Sequence, residues 1–268
     1  MKRKRWFLFI FRLLLFTSVI SVFILCFTIF IMQTNAKKNI DVSQMEIKLV
    51  DVALQEKIPI EKFKGQVSKV VYLTFDDGPN ESTNQILDIL KKERVSSTFF
   101  IVGSMVNEKN ENILKRIVEE GHYLGSHSMT HNYQLLYKNK TYVHEMLKVQ
   151  KIIQDVTGVE STLVRSPYGS YPGLIKEMRD DAVKNQLKIW DWTIDSLDWS
   201  LMGEPEKILA NIKEQTKKDI EVILLHDRKT TAEVLPKIIQ FLRSQGYVFK
   251  SYNEQDHFPL NFWNDERL

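Results

Sequence analysis

The chain has 268 residues, a formal net charge of +3 and one cysteine, Cys26. All 34 acidic residues lie beyond Met32, whereas five of the 37 Lys and Arg precede it, so the remainder carries 32 basic against 34 acidic side chains. That near-neutral balance excludes the basic surface that nucleic acid requires, and the lack of cysteine past Cys26 excludes disulfides and thiolate metal ligands.

In chain order, a basic cluster at Lys2–Arg5 precedes twenty uncharged residues, Leu13–Met32, long enough to cross a bilayer as a helix. Trp6 and Arg12 suit the interface, and positive charge ahead of the span keeps the N-terminus inside. Residues 1–12 are therefore expected in the cytoplasm, 13–32 as a single-pass signal anchor in the lipid bilayer, and the rest on the extracellular, cell-wall side. Thr34-Asn35-Ala36 loosely resembles a signal-peptide cleavage site, the competing reading, but the apolar run exceeds the usual cleaved segment. Residues 33–66 are polar and poorly periodic and read as a stalk, 67–252 as one domain with a single core, and 253–268 as a C-terminal tail.

From Val70 onward, apolar strand-like runs alternate with helix-period segments. Strands are expected at 70–75, 97–102, 123–126, 162–165, 187–193, 221–225 and 247–251. Helices are expected at 82–93, 105–120, 142–157, 172–185, 205–217 and 230–245, three of them ending at Gly121, Gly158 and Gly246. This alternation predicts an α/β fold with parallel pairing, first as a distorted or incomplete (β/α) barrel of about seven strands and second as an open doubly wound sheet. In either architecture the strand-to-helix junctions form one functional face.

Those junctions carry Asp76 and Asp77 after the first strand and His127 after the third. Arg165 and Tyr168 follow the fourth, Asp195, Asp198 and Trp199 the fifth, and His226 the sixth. Alone, D-D-G-P reads first as a solvated turn, and an H-x-x-x-H pair is more often two unrelated polar residues than a metal pair. Their concentration at one face favours an enzyme. A divalent ion held by two neutral histidines and one carboxylate keeps positions open for water and substrate, leaving the second carboxylate free for proton transfer. His127 and His131, four apart, would face one direction on a helical turn. Trp190 and Trp192 share a strand face by alternation and read as core; His122, His144 and His257 read as surface or structural.

T74-F-D-D-G-P79, H127-S-M-T-H131, R165-S-P-Y-G169, D195-S-L-D-W199 and L224-L-H-D227, in that order, resemble the five motifs of the polysaccharide deacetylases, carbohydrate esterase family 4 with its NodB homology domain. With the anchor, the chain is most similar to Gram-positive membrane-anchored peptidoglycan N-acetylglucosamine deacetylases. The resemblance implies a hydrolase that releases acetate from an N-acetylated glycan, with residues 67–252 as its catalytic domain. It assigns the metal to Asp77, His127 and His131, the general base to Asp76 and the general acid to His226. It further implies that Arg165 orients Asp76, that Asp198, with Asp195 as alternative, orients His226, and that the Tyr168 amide faces the developing oxyanion. Trp199 and Leu224 would line the acetyl pocket, although core packing explains each equally well. Two His and one Asp suit Zn²⁺, and Co²⁺, Mn²⁺, Ni²⁺ or Fe²⁺ fit similar ligands. Ser166 stands where the family often has proline or an aromatic residue, which implies a change in local packing. Peptidoglycan N-acetylglucosamine, N-acetylmuramic acid, chitin-like oligomers and poly-N-acetylglucosamine all present the required acetamide; a glycosidase is the competing reading from the same broad class, and a catalytically silent wall-glycan-binding module the one from a different class.

Overall fold

The computed structural model describes residues 69–268 and, ahead of them, the backbone of a short antiparallel pair, β1 (Lys62–Phe63) and β2 (Gln66–Val67). The expected anchor, its basic flank and nearly all of the 33–66 stalk lie outside the described residues. Among the described residues, no helix is long and apolar enough to cross a membrane.

The central strand is β3 (Lys69–Gly78), whose run of Val, Tyr, Leu and Phe is buried on both faces, as a parallel strand covered by helices requires. Val71, Leu73 and Phe75 belong to the outer core, with Ile86, Leu87 and Leu90 of α1 (Glu81–Glu93) and Ile238 and Ile239 of α6 (Lys229–Ser244). Tyr72, Thr74 and Asp76 alternate with them and point inward: Tyr72 joins an inner cluster with Phe100, Leu163, Trp190 and Val222, while Thr74 and Asp76 bond the buried Arg165. One edge of β3 pairs along its length with β9 (Ile220–His226). The other edge pairs first with β10 (Tyr247–Phe249) and then with β4 (Thr98–Ile101). Beyond β4 follow β5 (Tyr123–Ser126), β6 (Leu163–Val164) and β7 (Lys188–Ile189); β8 (Ile194–Asp195) lies beyond β9. Every pairing in this sheet is parallel.

The expected strand 187–193 is instead two strands on opposite edges of the sheet. Only Trp190–Thr193 separate them, and an extended step spans about 3.3–3.6 Å. The two edges must therefore lie close, so the sheet curls into a distorted barrel open between β7 and β8. Trp190 turns into the inner core at 1% exposure and forms an isolated parallel bridge with Leu260, and the Asp191 amide donates to the Leu260 carbonyl at 2.7 Å. Segment 253–268 packs along this opening, with the Trp263 indole donating to the Ser170 carbonyl and Leu268 buried.

Helix ends follow local chemistry. Asn80 caps α1 reciprocally with Thr83 and Ser82. The expected helix 105–120 shortens to α2 (Glu111–Glu119), because the Asn107 amide bonds the Asn110 side chain and the stretch before it turns as a 3₁₀ element. α3 (Tyr142–Thr157) ends as predicted at Gly158, which adopts φ 75°. α4 (Lys176–Lys184) starts later than the expected 172, and α5 runs over Pro205–Gln215.

Candidate active site

The C-terminal ends of these strands surround a cleft of about 410 Å³. Strict strand alternation would send Asp76 and Asp77 to opposite faces. The register against β4 slips between Asp76, opposite Phe100, and Gly78, opposite Ile101, so Asp77 is the extra residue of a bulge and takes φ 71°. A bulge of this kind re-aims a side chain at a strand end. Both carboxylates consequently line the cleft.

His127 and His131 converge as well, by a loop rather than the helical turn their spacing suggested. Ser128 and His131 adopt positive φ, 67° and 50°, and the His131 amide donates to Ser128 Oγ at 2.9 Å. Buried Glu145 on α3 accepts from both the amide and the hydroxyl of Thr130, and the Tyr168 hydroxyl donates to the His131 carbonyl. His127 Nδ1 is 2.9 Å from the Arg165 carbonyl, which can only accept, so Nδ1 carries the proton and Nε2 offers a lone pair to the cleft. Burial pushes the His127 pKa down, favouring the neutral form that binds metal.

Asp77 Oδ1 lies 3.7 Å from His127 Nε2 and 3.6 Å from His131 Nε2, and one donor atom from each of the three residues falls within 4.8 Å of the others. Two ligands bound at about 2.0–2.2 Å to a tetrahedral ion stand roughly 3.4 Å apart, so the spacing and the nitrogen–oxygen donor set fit a divalent cation.

Asp76 is 2% exposed, with Oδ2 at 3.6 Å from His127 Nε2 and Oδ1 at 3.0 Å from Arg165 Nη1. Arg165 is fully buried over the Phe100 ring, 4.1 Å from its centre. It also donates to Thr74 Oγ1 and to the Trp190 and Asp191 carbonyls. A cation so enclosed is tolerable because its donors are matched, and the same bonds fix the Asp76 carboxylate in place.

On another wall, His226 at the end of β9 donates through Nδ1 to Asp198 Oδ1 at 2.7 Å, while its amide donates to Asp198 Oδ2 at 2.8 Å. Thr231 adds a third bond to Asp198. Asp195, the alternative partner, lines the cleft but accepts from the Leu197 amide. Burial works to lower the His226 pKa, but the Asp198 hydrogen bond and charge, helped by Asp76 and Asp77, outweigh it and raise the value. Trp199, half exposed, and Leu224 line the same cleft. Tyr168 takes φ 66°, and among the described residues its amide makes no hydrogen bond. Ser166 is buried and bonds the Tyr142 hydroxyl.

Several contributors were read from sequence as core or given no role. Trp192, expected in the core beside Trp190, instead lines the cleft, so the two part where the strand breaks. Asp191 accepts from the Ser170 and Phe262 amides, fastening the C-terminal segment beside Arg165. Asp227 is buried; burial, the largest influence, pushes its carboxyl up to about 7. Its Oδ2 accepts from Thr83 and its carbonyl from Asn80, clamping the turn after Asp77 to β9. A Cβ on Gly78 would stand 2.1 Å from Asp227 Oδ2. Gly78→Ala is therefore expected to cost about 1–3 kcal/mol by overpacking, read from the urea midpoint at unchanged slope. His122 is structural: buried and accepting from the Ser97 amide, its pKa is driven down to about 4.

A parallel barrel that gathers three potential metal ligands, a tethered carboxylate and a carboxylate-bound histidine in one cleft defines a hydrolase site able to hold a divalent ion. The chain belongs to the polysaccharide deacetylase family. The family profile described as polysaccharide deacetylase matches residues 64–189. A peptidoglycan-N-acetylglucosamine deacetylase of Bacillus cereus is 42% identical over 237 residues, 86% of each chain. The peptidoglycan-N-acetylglucosamine deacetylase PgdA of Listeria monocytogenes is 35% identical over 225 residues, 79% of this chain and 46% of that protein. The crystal structure of a polysaccharide deacetylase from Bacillus cereus matches with a TM-score of 0.73 at 44% identity, covering 75% of this chain and 100% of that one.

Proposed function

We propose that this protein is an N-deacetylase of cell-wall glycan, acting on N-acetylglucosamine units of peptidoglycan and releasing acetate. The observation that carries this reading is the placement of Asp76, held by Arg165, and His226, held by Asp198, in the same cleft as the Asp77, His127 and His131 group. When bound, a divalent ion, for which Zn²⁺ suits the donor set, supplies Lewis acidity toward the acetamide and acidifies water. Asp76 accepts the proton of the water that attacks the acetyl carbon. His226, with Nδ1 committed to Asp198, presents Nε2 to the cleft and hands its proton to the nitrogen as the C–N bond breaks, because nitrogen leaves poorly as an anion. The products are acetate and a glucosamine unit. By the family resemblance the Tyr168 amide serves the oxyanion, a role supported by its lack of a hydrogen bond among the described residues, and Trp199 and Leu224 wall the acetyl methyl. The uncharged run at 13–32 behind a basic cluster supports tethering at the outer face of the cell membrane.

Incubating the protein with purified peptidoglycan is expected to release acetate in the presence of divalent ion, to stop on chelation and to resume with Zn²⁺. Mass spectrometry should show loss of acetyl groups from full-length glycan. Glycan shortened with its acetyl groups intact would indicate a glycosidase instead.

A further inference from the structure

One cation in the cleft has no part in the chemistry above. Arg228 lines the cleft two residues past His226, at the N-cap of α6, with its amide donating to the His226 carbonyl at 2.8 Å. Among the described residues its guanidinium forms no ion pair. Among those residues its side chain has one hydrogen-bond acceptor, Met202 Sδ at 3.5 Å, on a residue that is 68% exposed. Thioether sulfur is a weak acceptor, so nearly all of the planar donor fork is left for a ligand. By contrast Arg165, the other arginine near the cleft, has its donors spent on protein oxygens. The acetamide needs no such cation: acid, base and metal donors are already supplied by other residues.

On the reading of this cleft as a glycan deacetylase site, we propose that Arg228 binds a carboxylate on the sugar next to the one being deacetylated and so selects anionic over neutral N-acetylated glycan. Guanidinium and carboxylate match as a bidentate pair, and the N-terminal end of α6 adds a favourable field for an anion at the same place. In peptidoglycan each N-acetylglucosamine is flanked by a sugar bearing a lactyl ether, whose carboxylate is either free or extended by a peptide with carboxylates of its own. A chitin-like oligomer offers the same acetamide with no anion beside it.

The test compares wild type, Arg228→Gln and Arg228→Lys on three substrates: a neutral N-acetylglucosamine oligomer, peptide-stripped alternating glycan with free lactyl carboxylates, and peptide-bearing glycan fragments. Arg228→Gln should raise KM for the carboxylate-bearing glycans so that their preference over the neutral oligomer falls about tenfold, with kcat little affected. Arg228→Lys should recover part of that preference, and added salt should weaken wild-type binding of the anionic glycans more than that of Arg228→Gln. A loss confined to peptide-bearing fragments places the carboxylate on the peptide; a loss already present on stripped glycan places it on the lactyl group. Equal losses on neutral and anionic substrates would overturn the assignment of Arg228 while leaving the deacetylase reading intact. Acetate release by wild type from none of the three would overturn both.

Discussion

Asp76→Asn is expected to lower kcat by about 10²–10⁴-fold while the protein still retains its metal. An amide cannot take the proton of the attacking water, yet it has nearly the carboxylate's shape and can still accept the Arg165 bond now made at 3.0 Å. Removing one charge of a buried pair leaves the other uncompensated, which costs about 3–5 kcal/mol when the partner is deleted outright. Asn, which keeps the hydrogen bond, should cost less, and the fold should persist. Asp77→Asn makes the contrast: Asp77 Oδ1 stands between the two imidazoles, so this variant should lose metal content together with activity. The measurement is kcat beside bound metal for both variants. Asp76→Asn protein that loses its metal, or that keeps kcat within tenfold of wild type, would reverse the division of labour between the two neighbours.

That division shows where sequence reasoning stops. The apolar run ending in D-D-G-P located a strand and placed both carboxylates at its end, because hydrophobic periodicity and turn chemistry are local properties. How adjacent residues come to serve one cleft depends on a bulge against β4, whose register is a long-range fact with no local signature. The histidine pair makes the same point: its spacing suggested a helical turn, but the loop is shaped by Glu145 on α3 and by left-handed backbone at Ser128 and His131. The single strand expected at 187–193 had adequate apolar alternation and still divides, since barrel curvature brings the two sheet edges within reach of four residues. Asp191 and Arg228 were invisible as contributors, and Asp227 stood in the fifth motif without an assigned role, for a related reason. Each is defined by what it faces, and those partners lie in distant segments: Phe262 for Asp191, Thr83 for Asp227, and an open cleft for Arg228.

Asp198→Asn is the second large effect, expected at about 10²–10³-fold in kcat at neutral pH with a displaced pH profile. In the native cleft two opposing influences act on His226: burial disfavours the imidazolium, and the Asp198 carboxylate at 2.7 Å favours it more strongly, so its pKa stands above the ordinary 6.5. Asp198 is itself held below the usual carboxylate range: burial would raise it, and the bonds from His226 and Thr231 overcome that. A proton donor is competent below its pKa and fails as pH rises through it. The wild-type alkaline limb should therefore lie above 6.5. With Asn in place of Asp198 the anion is gone and burial acts unopposed by its main counterweight, so the limb should move toward acid. Asp76 and Asp77 also raise His226, but Asp77 sits in the proposed metal group, where a bound cation would offset its charge; Asp198, on the far side of the imidazole, keeps its effect in the loaded enzyme. A variant that merely loosened the fold would lower activity at every pH without moving the limb. Parallel kcat–pH profiles for wild type and Asp198→Asn therefore separate proton donation by His226 from a purely structural role for the pair, and an unmoved alkaline limb would remove His226 as the acid.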